Sequence, residues 1–116
     1  MDRASLRHRV AREMEIADEA RAAGREGRAR VCARRAAGLA AMDLLEREGA
    51  SPRGRSALDA LKGIAEMQGL SPELRSAAAR LTARVTEAFA LPHGEDALAD
   101  ARAVIAACLE ERGSDD

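Results

Sequence analysis

Two histidines, two cysteines, a spread of carboxylates and a dense group of arginines are the residues of this chain with chemistry to offer. A general base needs an orienting partner, and a nucleophile needs a base within hydrogen-bond reach. His8 stands among Arg3, Arg7, Arg9 and Arg12, on the polar side of an amphipathic segment. His93 lies in Leu91-Pro92-His93-Gly94, a breaker just ahead of a helix start, and reads as a turn or capping residue. The acids do not form the Glu-x-x-His pairs with which carboxylate bundles hold two metals, so neither metal nor cofactor is expected. Cys32 and Cys108 are far apart, with no Cys-x-x-Cys and no histidine at ligand spacing, and read as small buried hydrophobes rather than a disulfide.

The arginines Arg21, Arg25, Arg28, Arg30, Arg34 and Arg35 surround a single acid, Glu26. Their forked side chains match phosphate oxygens, which makes Arg28, Arg30, Arg34 and Arg35 the candidate nucleic-acid contacts. No aromatic residue interleaves them to stack a base, so weak, salt-sensitive binding or a solvated face is expected. Beside them, Ala29, Ala33, Ala37 and Ala41 recur every four residues and line one helical ridge, where short side chains let a neighbouring backbone come close. With small or apolar residues on more than one face, this helix is expected to be central, and its alanine ridge is the candidate interface of a homodimer.

The elements around this helix follow from periodicity and punctuation. Leu6, Val10, Met14 and Ala17 mark a first helix to about Ala23, stopped by Gly24. The second runs to about Glu48, with Val31, Cys32, Ala36, Leu39, Met42 and Leu45 as its apolar face and Gly49 past its end. After the breaker-rich Ser51-Pro52-Arg53-Gly54-Arg55, Leu58, Leu61, Ile64 and Ala65 give a shorter helix ending at Gly69. Ser71-Pro72-Glu73 is a strong helix start, and Leu74, Ala78, Leu81, Val85 and Phe89 carry the fourth helix to about Ala90. Glu95 and Asp96 open a last helix with Leu98, Ala101, Ile105, Cys108 and Leu109 inward. The expectation is an all-α, up-and-down bundle of four long helices plus one shorter helix, a single domain over 1–112 with an acidic tail at 113–116.

Composition agrees with that class. The 116 residues include one aromatic, Phe89, so the core must be built from Leu, Ala, Val, Ile and Met, which favours close-packed helices over a sheet. The net charge of −1 excludes a strong electrostatic case for nucleic acid. It is unevenly spread: residues 1–58 carry 13 Arg against 9 acids, and residues 59–116 carry 6 basic residues against 11 acids. No apolar leader and no run of about 18 apolar residues is present, so a cytoplasmic protein without a membrane span is expected.

The segment from Gly27 through Cys32 and Gly38 to Ala40, a small-residue helix following a short turn after an amphipathic helix, resembles the second helix of HEPN-type domains. The acid-opened, Ala-rich segment from Glu95 to Ile105 is similar to that family's last helix. The resemblance implies a dimerising helical bundle that partners a nucleotidyltransferase-type protein or acts on RNA. Ribonuclease members carry Arg, four to six residues, then His near the last long helices; Arg84 and His93, the only catalytic candidates, have eight residues between them. Arg3 and His8 fit the spacing but lie in the first helix, and the family's loop Tyr has no counterpart. The chain therefore resembles a non-catalytic member, an interaction module, with a ribonuclease toxin or an RNA-binding helical protein as the alternative.

Overall fold

A computed structural model describes residues 2–49, 56–83 and 96–109, and all regular structure among them is helical. The helices are α1 (Arg3–Ala22), α2 (Glu26–Arg47), α3 (Ala57–Glu66), α4 (Pro72–Leu81) and α5 (Ala97–Leu109). The starts of α1, α3 and α4 are set by short polar side chains that satisfy free backbone N–H groups. Asp2 accepts from the Ser5 N–H at 2.7 Å, Ser56 from Asp59 at 3.0 Å, and Ser71 from Leu74 at 3.1 Å, with Pro72 in the first turn of α4. The end of α1 is a complete Schellman turn. Gly24 adopts a φ of 79°, its N–H bonds to the Arg21 carbonyl at 3.0 Å, and the Arg25 N–H reaches back to Ala20 at 2.7 Å. Arg25 is already the N-cap of α2, so the two longest helices fold back on each other through three residues.

The α2 helix is the hub: it packs on α1, α5 and α3, while α4 packs on α5 and α3. Its core side is almost wholly alanine, with Ala29, Ala33, Ala36, Ala37, Ala40 and Ala41 each 0% exposed. The alanine ridge expected to meet a second copy is thus filled inside a single chain. The close neighbours that its short side chains admit are the chain's own helices, and a homodimer would have to use a different face. On the other side, Gly38 abuts α3 so closely that a β-carbon there would stand 2.3 Å from Ala57 Cβ and 2.6 Å from its Cα. Leu44, Leu61, Ile64, Leu98, Val104 and Cys108 are the largest fully buried side chains.

Three expectations change. The apolar face of α2 is rotated from the one assigned: Val31 is 48% exposed and Leu39 and Met42 are half-buried, because the alanines admit the close neighbours and the longer side chains are left at the margin. The α3 helix ends at Glu66 rather than Gly69, with Met67 extended and Gly69 at a φ of 92° in the turn beyond. The α4 helix ends at Leu81 rather than running through Ala90. Thr82 closes it, donating its hydroxyl to the Ala79 carbonyl at 2.7 Å, and Arg34 of α2 caps the Leu81 carbonyl at 3.0 Å. Among the described residues α3 and α4 are both short, at ten residues each, where one shorter helix was expected. Val85, Phe89 and the tail at 113–116 lie outside the described residues.

Candidate functional site

The arginines of α2 do not form one surface, because successive residues on a helix diverge by 100°. Arg34 turns toward α4, where its Nε donates to the Leu81 carbonyl. Arg35 turns toward α1 and meets Glu13 at 3.4 Å. Arg28 is exposed and Arg30 half-buried, on different sides of the helix. Arg21, at the end of α1, holds Glu26 at 2.5 Å and Asp96 at 2.7 Å, so one guanidinium joins the end of α1 to the starts of α2 and α5. These hydrogen bonds hold both carboxyls below the usual carboxylate range and raise the guanidinium's own affinity for its proton.

A second gathering of arginines, not anticipated from sequence, closes the far end of the molecule. Arg3 and Arg7 of α1 both donate to the Leu109 carbonyl, the former at 3.3 Å, and Arg47 of α2 donates to the Cys108 carbonyl. Asp43 lies between them, 2.7 Å from Arg3 and 2.8 Å from Arg47. These arginines satisfy carbonyls in the last described turn of α5, so this cluster is explained as a tie from α1 and α2 to that helix. The sequence signal was faint: only the i, i+4 spacing of Arg3 with Arg7 and of Asp43 with Arg47 hinted at it.

The remaining candidates do not assemble into a reaction centre among the described residues. Arg84 and His93 lie outside them. His8 is exposed on the outer side of α1. No group of three or more His, Cys, Asp or Glu side chains is placed to hold a metal ion among the described residues. Cys32 and Cys108 are buried and free, as read from their surroundings in sequence, and burial pushes the Cys108 thiol up to about 12. Arg80 and Asp100 form a two-pronged ion pair between α4 and α5, both contacts at 2.9 Å. Among the described residues no helix is long and apolar enough to cross a membrane.

What is left open is one side of the α1–α2 hairpin. Val31 is the one large hydrophobic residue exposed among the described residues, with exposed Arg28 and Arg35 three and four positions away. Comparison with protein-family models, with curated proteins and with solved structures finds no match.

Proposed function

We propose that this chain is a non-catalytic helical interaction module, an up-and-down bundle on a plan resembling HEPN-type domains, which binds another protein through the open side of its α1–α2 hairpin. The observation that carries the reading is Val31: on a helix closed elsewhere by alanine contacts, it is 48% exposed. A lone exposed valine is ordinary; one flanked by two arginines on the hub helix, level with half-buried Ile16 of α1, has the composition of an interface margin. The HEPN resemblance makes a nucleotidyltransferase-type protein the natural class of partner to try first.

A photo-crosslinking amino acid at position 31, with one at buried position 33 as control, tests this in cells. Protein adducts specific to position 31, whether to a second copy or to another protein, are expected. Adducts to RNA alone, or none, overturn the module reading. Cleavage of mixed RNA by the wild-type chain that disappears in His93→Ala would replace it with the ribonuclease reading.

A further inference from the structure

The open side of the hairpin has a definite border. Around α2, Arg35 points to Glu13 of α1 and Gly38 abuts Ala57 of α3, and at 100° per residue Val31 and Met42 fall in the sector between those two directions. On α1, Asp18 marks the flank facing α5, through its ion pair with Arg102. Arg9 and Ile16 stand about half a turn away from Asp18, on the flank that adjoins the open sector. The outward side of α1 next to this flank carries an open groove of about 490 Å³, lined by Ala4, Ser5, His8, Arg9, Arg12 and Glu13. Met42 stands three turns along α2 from Val31, beyond Gly38 and the Ala57 that covers it, so the apolar floor is short, Val31 with Ile16 of α1, and exposed arginines stand at its edges (Arg9, Arg28, Arg35).

Its charge decides among occupants. The nearby carboxylate, Glu13, is already paired with Arg35, while no ion pair joins Arg9 or Arg28 to any described residue. Glu46 lies at the far end of α2. Two copies of such a face would set arginine against arginine, and like charges across an interface are unfavourable. A nucleic acid would find aliphatic side chains where base stacking needs rings. A helix with acids on either side of a short apolar ridge meets both the floor and the edges, with its anchors spaced at i, i+3 or i+4, and i+7.

We propose that this sector docks an acidic amphipathic helix of a partner protein, with its apolar ridge on Val31 and its carboxylates on Arg9 and Arg28. The proposal rests on the interaction-module reading above and names the chemistry of the partner. It is tested with the full chain by selecting from a displayed library of 15-residue helices, counter-selecting against Val31→Glu. Selected sequences should carry Asp or Glu flanking an apolar ridge. A selected acidic peptide should lose about ten-fold or more in affinity on Val31→Glu, as removal of a central anchor does, and should bind more weakly as salt is raised. Arg9→Glu/Arg28→Glu should shift the selected sequences toward basic helices; both positions are exposed, and thermal melts check that each variant is folded.

Selection of neutral or basic helices by the wild-type chain, indifference to Val31→Glu, or no enrichment at all would overturn the proposal. A homodimer in sedimentation that Val31→Glu dissociates would also overturn it, because the occupant would be a second copy, while leaving the module reading intact. Sub-micromolar binding to a short RNA at physiological salt, lost in Arg28→Ala/Arg35→Ala, would remove both.

Discussion

Gly38 is the residue on which the packing of α2 against α3 turns. A methyl group there would collide with the Cα and Cβ of Ala57, so the backbone of α3 must move, whereas at Gly63 the nearest atom is the tip of Leu45, 3.1 Å away, which can rotate aside. Gly38→Ala should destabilise by roughly 1–3 kcal/mol, the cost of overpacking a filled site. Gly63→Ala should cost less, because a helical alanine gains up to about 1 kcal/mol over glycine. Urea midpoints of the two variants check the order, and a Gly38→Ala protein as stable as wild type would mean the two helices are free to separate. That small residues let a neighbour approach along α2 was legible in the sequence. Which neighbour was not, since spacing along one helix says nothing of what lies across it. Cys108 offers a second test. Its buried thiol ionises near pH 12 instead of its ordinary 9.0. The folded state holds the proton more tightly than the unfolded chain, so this contribution to stability is intact below pH 9 and falls between about 9 and 12, by about 1.4 kcal/mol per pH unit at the steepest. With no tyrosine and one lysine in the chain, few other groups titrate there. Cys108→Ala should flatten the alkaline limb of a stability–pH curve, and an unchanged limb would refute the assignment.

At the scale of elements, the ends of the helices were more legible than their partners. Gly24, Ser71-Pro72 and Gly49 are local signals, because a cap acts on the backbone within its own turn. The end of α4 is different. The apolar period continues through Val85 and Phe89, but the stop at Leu81 depends on the Thr82 hydroxyl and on Arg34, which arrives from a helix 47 positions earlier. Likewise the arginines of α2, read as one patch, are divided among α1, α4 and solvent, since their partners lie on other elements. The Arg21 junction shows what such a partner does. With Glu26 and Asp96 held below the usual carboxylate range, their contribution to folding is present above the unfolded-chain values and fades as pH falls through the depressed ones. Stability should therefore decline in acid, and Arg21→Ala should make that decline shallower while loosening the starts of α2 and α5. Urea midpoints at pH 7 and pH 3, with amide hydrogen exchange at residues 26–29 and 97–100, follow both effects.

For the whole molecule, the uneven charge of the two halves finds an internal use. The basic first half sends Arg3, Arg7 and Arg47 to carbonyls in the last described turn of α5, Arg34 to the carbonyl that ends α4, and Arg21 to Asp96. Much of the excess that could have signalled a polyanionic partner is thus spent on contacts within the fold, and composition alone could not separate those two uses. The first turn of α1 and the last described turn of α5 meet at the Leu109 carbonyl. The described helices thus begin and end at one place, and the order in which they are synthesised is separable from the order in which they pack. A circular permutant, with residues 116 and 1 joined by a short Gly/Ser linker and new ends between exposed Gln68 and Gly69, should keep the helical circular dichroism and cooperative melting of the original. Loss of cooperativity would show that α3 must be covalently continuous with α4 to dock. If the permutant folds, the hairpin of α1 and α2 becomes the middle of a chain that begins with α4, and the same hub can be approached from either direction of synthesis.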